Sequence, residues 1–163
     1  PLSKVVALVW ASGEHDIIGA GGWPVAEGYH TMSFAGVGDD YPVRQEIRDM
    51  YKAQGKTPQE AMDRTVMYNR GLLWAALHAE ATRNAIKLNG GKKPTGEDVK
   101  KGFEAIKDFS LGGLVPPLKV TEADHEGGGF VQIFQVKDDK FVKATDWFRA
   151  YPEVVAATVK KSD

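Results

Sequence analysis

The chain has 163 residues, of which 42% are hydrophobic and 26% charged, and this composition suits one globular domain with a real core. Its formal net charge of −1 gives no indication of binding to nucleic acid or to an anionic membrane. The absence of cysteine excludes disulfides, a cysteine nucleophile and thiolate metal sites, and no apolar stretch is long enough to span a bilayer.

The first third of the chain predicts a strand, a short helix and a second strand. The run KVVALVW (residues 4–10) is β-branched and nearly unbroken, which is typical of a strand buried on both faces in a parallel sheet. Ser12 is placed to cap a helix that ends at Gly21 and Gly22. Residues 26–36 alternate well enough for the second strand. Parallel strands need a crossover, so this order predicts an α/β fold.

Helices are predicted to dominate from residue 42 to residue 108. A long Ala- and Leu-rich helix ends at Asn89-Gly90-Gly91, and its first turns, around residues 59–64, are predicted as a possible separate piece. The next helix has Thr95 as its cap. Three consecutive helices have few strands to cover, so the chain is expected to leave one sheet and later return to it.

The last part of the chain predicts a β-hairpin followed by a short helix. Residues 130–148, FVQIFQVKDDKFVKATDWF, contain two apolar runs around Lys137-Asp138-Asp139-Lys140. The segment YPEVVAATVKK that follows favours a C-terminal helix.

The strongest candidate site is Trp10-Ala11-Ser12-Gly13-Glu14, where the first predicted strand ends. Ligands gather outside the carboxyl ends of strands in open α/β sheets, and a helix start offers free N–H groups to an anion. Trp10 could stack on an apolar or aromatic ligand, and Glu14 could accept from a ligand ammonium or hydroxyl. In the structural alternative, Ser12 caps the helix, Glu14 complements its dipole and Trp10 lies in the core.

Other motifs give less support for a site. Tyr68, Asn69 and Arg70 stand early in the long helix, where any of them could face a cleft, while Arg70 could equally be a surface charge. The four histidines have no HExxH-like spacing, so we expect no metal site, and no cofactor is implied. No GxSxG motif is present, so we expect no enzymatic activity.

Residues 112–147 resemble the C-terminal region of periplasmic solute-binding proteins of the branched-chain amino acid ABC importer type. The matching motifs are the turn Asp124-His125-Glu126-Gly127 and the hairpin VKDDKFV (residues 136–142), with Asp139 where glycine is usual. Upstream, Ala26-Glu27-Gly28 resembles a strand of that family, and Tyr68-Asn69-Arg70-Gly71 resembles the start of its long helix.

The resemblance implies a type I periplasmic binding protein, in which three chain crossings join two α/β lobes. The chain would be the C-terminal half, with incomplete sheets. Residues 1–34 and 128–163 would form the second lobe, and residues 35–127 part of the first lobe, whose N-terminal strands are missing. The hairpin is expected to pair beside the strand at residues 4–10. Exposed sheet edges are expected to drive dimerisation or strand exchange.

The function implied is extracytoplasmic capture of a solute for an ABC permease, in the periplasm and without chemistry. The solute would be a small hydrophobic amino acid or an aromatic or aliphatic carboxylate. Within the candidate site named above, Glu14 is the nearest candidate for the amino-group contact and Trp10 favours an aromatic or bulky solute, with Tyr68 reaching in from the first lobe. The alternatives are a ligand-sensing regulatory domain of the same fold and a small α/β enzyme using Glu14 with His15.

Overall fold

The structure, a computed structural model, describes residues 2–8, 10 and 13–159. The strands are β1 (Val6–Ala7), β2 (His30–Ser33), β3 (Gln132–Lys137) and β4 (Lys140–Lys143). The α-helices are α1 (Glu14–Gly19), α2 (Trp23–Ala26), α3 (Pro42–Ala53), α4 (Thr65–Leu88), α5 (Gly96–Glu104) and α6 (Pro152–Val159). Short 3₁₀ helices lie at Leu2–Lys4 and Glu60–Asp63. None of the helices in the described part of the chain is both long and apolar enough to cross a membrane.

The strands form one mixed sheet in the order β1-β2-β3-β4, which confirms the predicted α/β class. β1 runs parallel to β2, and the β3–β4 hairpin adds to the other side of β2 in antiparallel fashion. The hairpin turns at Asp138 and Asp139, whose φ angles of 51° and 59° are those of a tight left-handed turn. The predicted hairpin is therefore confirmed.

The edge of the sheet differs from the prediction in two ways. β1 is only two residues long, and Val6 and Leu8 are exposed, so the prediction of a strand buried on both faces is wrong for the described residues of 4–10, while Val9 lies outside them. The hairpin pairs with β2 and not with β1. The physical reason is that β1 is the edge strand: β2 pairs with one side of it, and no described strand pairs with the other.

The helical part follows its local signals closely. The 3₁₀ helix at Glu60–Asp63 precedes α4, which confirms a separate first piece. Thr95 caps α5: its hydroxyl accepts from the Asp98 N–H, while the Asp98 carboxylate accepts from the Thr95 N–H at 2.8 Å. α5 packs very closely on α4, since a Cβ on Gly102 would come within 2.0 Å of the Ala81 carbonyl oxygen.

A loop between β2 and α3 is held by buried polar groups. The Asn69 side-chain amide donates to the carbonyl oxygens of Gly36 and Gly38, at 2.8 and 3.0 Å. Asp39, in the same loop, forms an ion pair with the fully buried Arg44 of α3. These contacts tie the loop to both α3 and α4.

Candidate functional site

Three aromatic side chains meet at the carboxyl ends of the two parallel strands. Trp10 follows β1, Phe34 follows β2, and Trp74 lies on α4 beside them. The Phe34 and Trp74 rings are stacked with centroids 6.2 Å apart and planes 23° apart. The Trp10 and Trp74 rings are also 6.2 Å apart, with planes tilted by 42°. We call Trp10, Phe34 and Trp74 the aromatic cluster.

The aromatic cluster is open to solvent on one side. Trp10 is 68% exposed and Trp74 is 45% exposed, whereas Phe34 is half-buried against the core residues Ala35 and Leu73. Large aromatic side chains dominate binding energies when a partner covers them, so this exposed group at a strand end is a candidate ligand surface. The alternative in which Trp10 lies in the core is wrong.

Arg70 lies beneath the aromatic cluster. Its guanidinium carbon is 5.2 Å from the centre of the Phe34 ring, and its Nη2 donates to the Ser33 hydroxyl at 3.4 Å. Only 1% of Arg70 is exposed, so the reading of this residue as a surface charge is wrong. Burial lowers the pKa of Arg70, while the charges of Glu14 and Asp16 act in the opposite direction.

Glu14 joins the start of α1 to the start of α4. Its carboxylate is buried and accepts from the Thr65 hydroxyl at 2.6 Å and from the Val66 N–H at 3.2 Å. The carboxylate thus satisfies a free N–H at the N-terminus of α4, where a negative charge is also favoured by the helix dipole. Glu14 is also the first residue of α1, so its charge complements the dipole of its own helix, as the structural alternative predicted, and it contacts a second helix as well.

Of the remaining residues of the predicted strand-end site, the structure describes Gly13, which directly precedes α1. Gly13 is the N-cap, and its N–H donates to the Asp16 carboxylate at 2.8 Å, so the N-cap is not Ser12 as predicted. Ala11 and Ser12 lie outside the described residues. A side chain at Gly13 would make only ordinary contacts, the nearest with Asp16 and Met67 at 3.7 Å.

Tyr68 is not brought together with the aromatic cluster. The Arg44 guanidinium of α3 lies 4.7 Å from the centre of the Tyr68 ring. Trp74 is six positions after Tyr68 on α4, and six steps of about 100° place the two side chains about 120° apart around the helix axis. Tyr68 therefore faces α3, while Trp74 faces Trp10. Its role as a ligand residue stays a prediction.

Sequence reasoning missed Phe34 and Trp74. Phe34 directly follows β2 and so stands at the same end of the sheet as Trp10. The predicted second strand could have pointed to Phe34, because parallel strands end on the same side of the sheet. Trp74 is one helical turn after Arg70, but its position beside Trp10 depends on contacts between residues far apart in the chain. Within the described residues, no three His, Asp or Glu side chains are grouped so as to hold a metal ion.

No protein-family model matches the sequence, and none of the curated proteins is similar enough to match it. Solved structures do match. An ABC transporter permease from the Pseudomonas fluorescens group is 27% identical, with a TM-score of 0.85 over 99% of this chain and 41% of that one. A branched-chain amino acid ABC transporter from Thermus thermophilus with bound valine is 22% identical, with a TM-score of 0.74 over 96% and 41%.

A possible leucine/isoleucine/valine-binding protein from Rhodopirellula baltica SH 1 is 17% identical, with a TM-score of 0.62 over 86% of this chain and 35% of that one. The chain thus spans less than half the length of the structures it matches. Its mixed sheet and helices have the type I periplasmic binding protein fold of the solute-binding proteins of branched-chain amino acid ABC transporters.

Proposed function

We propose that this chain is part of an extracytoplasmic solute-binding protein of an ABC importer. Its solute is a small hydrophobic amino acid or an aromatic or aliphatic carboxylate, and its site is the aromatic cluster with the turn into α1. The observation that carries the proposal is an exposed group of aromatic rings at the carboxyl ends of β1 and β2. A matched structure of the same fold holds valine.

The site lies where two proposed lobes meet. We assign residues 1–34 and 128–163 to the second lobe and residues 35–127 to part of the first. Trp10 then belongs to the second lobe and Trp74 to the first, and their rings are 6.2 Å apart. The Glu14–Thr65 hydrogen bond of 2.6 Å also joins the two groups. Contacts of both kinds support a ligand site between the lobes.

The mechanism is capture without chemical change. The lobes close around the solute by bending at the chain crossings, and the closed form is presented to a membrane permease. The loop bound by Asn69, which includes Gly36 and Gly38, is one such crossing. Its hydrogen bonds to α4 hold the first-lobe end of this crossing in place.

The proposed ligand residues at the end of the first strand are Trp10, Ala11, Ser12, Gly13 and Glu14. Tyr68 stays a prediction for the first-lobe side, although its ring faces α3 in this structure. Glu14 already accepts from Thr65 and Val66, so it acts on a solute ammonium chiefly through its negative charge. Trp10 supplies apolar contact area.

A thermal-shift panel on the complete gene product that contains this chain tests the proposal. The panel comprises leucine, valine, phenylalanine, benzoate and a short aliphatic carboxylate, with glucose as the control solute. We expect at least one amino acid or carboxylate to raise the melting temperature in a dose-dependent way, because binding to the folded state alone stabilises it. Absence of any shift, with no binding seen by calorimetry, would contradict the proposed function.

A further inference from the structure

We propose that the aromatic cluster selects a planar aromatic ring, which inserts between Trp10 and Trp74. This inference rests on the proposed function and narrows its solute class to molecules with an aromatic ring. It makes Trp10 and Trp74 the residues that determine specificity. Three features support this inference: one ring held by its neighbours, one exposed ring, and a spacing that a small shift would widen to the thickness of a flat ring.

The ring held by its neighbours is Trp74. Its ring stacks on Phe34 at 6.2 Å with an angle of only 23° between planes, and Phe34 is in turn backed by the buried Arg70 guanidinium at 5.2 Å. Arg70 also donates to Ser33 at the end of β2, so this layer is anchored to the sheet. In this structure Trp74 is thus held against Phe34 while part of its ring stays exposed to receive another ring.

The exposed ring is Trp10. It is the most exposed member of the aromatic cluster at 68%, and its plane is tilted by 42° from that of Trp74. A ring held between two others needs about 7–8 Å between the outer rings, since stacked carbon atoms lie about 3.5–4.0 Å apart. The observed 6.2 Å is short of that by about 1–2 Å. A small outward shift of Trp10 and a rotation to near-parallel would open the slot.

A flat ring suits this slot better than an aliphatic group of similar size. The faces of Trp10 and Trp74 carry negative charge density and the edges of a ring carry positive density, so offset stacking adds attraction beyond apolar burial. A saturated six-membered ring is thicker and offers no such face. It would need a wider opening between the two indoles and would gain only the apolar contact.

Paired probes that differ only in ring saturation test the proposal. We would measure the binding of L-phenylalanine against L-cyclohexylalanine, and of benzoate against cyclohexanecarboxylate, by calorimetry on the complete gene product. Leucine and valine complete the set. We expect the aromatic member of at least one pair to bind about tenfold more tightly than its saturated partner. The same titration should change tryptophan fluorescence, because the ring contacts two indoles.

Variants then locate the preference. Trp10→Leu removes an exposed ring, so the fold should be retained and the aromatic preference should fall to about twofold or less. Trp74→Leu should act in the same direction. Tyr151→Leu changes a 73% exposed aromatic residue outside the site and should leave the preference unchanged.

The outcomes separate this inference from the proposed function. Equal affinities within each pair, or preference for the saturated member, would overturn the inference, as would a preference that survives Trp10→Leu. Binding of leucine or valine without binding of any aromatic probe would also overturn it while leaving the proposed function intact. Failure of every probe, aliphatic and aromatic, would instead count against the proposed function itself.

Discussion

The helical segment from residue 35 to residue 127 and the β1 edge of the sheet are built in opposite ways. In the helical segment, charged and polar side chains such as Arg44 and Asn69 are buried and hydrogen-bonded. At the β1 edge, apolar side chains such as Val6 and Leu8 are exposed. In the helical segment, contacts within the chain satisfy the buried polar groups. The β1 edge instead presents apolar surface that no described residue covers.

The largest effect on stability is expected from Gly102→Ala in the helical segment. The added Cβ would lie 2.0 Å from the Ala81 carbonyl oxygen, a backbone atom, so α4 and α5 must move apart. We expect a loss of about 3 kcal/mol in the free energy of unfolding, measured by urea denaturation.

Gly71→Ala is the matched control, because Gly71 is an exposed glycine inside α4 with no atom near the added Cβ. It should stabilise the protein by about 0.5–1 kcal/mol through helix propensity. Equal effects of the two substitutions would show that the close approach of α4 and α5 is not what holds this region.

The second largest effect is expected from Asp39→Asn. The substitution leaves the fully buried Arg44 without its charged partner, although Arg44 still donates to the Met62 carbonyl oxygen at 2.5 Å. Because Asp39 is itself about half exposed, we expect a loss of about 2 kcal/mol, measured by thermal unfolding. Asp63→Asn is the control, since Asp63 is largely exposed and 3.6 Å from Arg48, and it should change stability little.

The same ion pair predicts a pH dependence. Burial alone would raise the pKa of Asp39, but the hydrogen bonds and charges of Arg44 and Arg48 outweigh it and lower the pKa below the ordinary value of 3.8. The folded state therefore binds a proton at Asp39 less readily than the unfolded chain does. This stability is present above about pH 4 and is lost as the pH falls through the lowered pKa. Asp39→Asn should flatten that part of the pH–stability profile.

A smaller effect is expected from Glu14→Gln, which tests the junction between the two regions. The amide keeps an acceptor for Thr65 or Val66 but removes the charge at the start of α4. We expect a loss of about 1 kcal/mol in thermal unfolding. Glu60→Gln, at a largely exposed ion pair with Arg64, should cost less than about 0.5 kcal/mol. If the two variants had the same melting temperature, the Glu14 contacts with Thr65 and Val66 would add no stability beyond that of an exposed ion pair.

The smallest effect on stability is expected at the edge itself. Leu8 is 70% exposed, so Leu8→Lys should change the free energy of unfolding by less than about 0.5 kcal/mol. The measurement that matters is oligomeric state by sedimentation, because we propose that two copies of this chain associate through the β1 edge. Leu88→Lys, an exposed leucine at the end of α4, is the control. Association unchanged by Leu8→Lys would exclude this edge.

Features with short-range causes could be predicted from the sequence. The Thr95 cap needs only Asp98 three residues away, and the hairpin needs only the turn at Asp138 and Asp139. The long helix likewise ends at Asn89, where the next glycine has a φ of 71°. In each case the residues that make the structure are neighbours in the chain.

Features set by distant contacts could not be predicted. The run at residues 4–10 has the composition of a buried strand, but its burial depends on which strands flank it. Arg70 reads as an ordinary helix-surface residue until Ser33 and Phe34 are known to lie beside it. The aromatic cluster combines three parts of the chain, so only its Trp10 member was visible beforehand.

The two outer strands of the described sheet, β1 and β4, differ in how readily each could accept a further strand. β4 ends in the exposed Lys140 and Lys143, and a hairpin turn of two aspartates precedes it, so charge opposes strand addition there. β1 consists of Val6 and Ala7 and so carries no charged side chain, and Val6 is exposed. If two molecules paired through β1, as proposed above, each would cover the apolar edge of the other and leave the charged β4 edges outward. Growth would then stop at the dimer, because the open-ended polymerisation that leads to fibrils would have no second apolar edge among the described strands from which to continue.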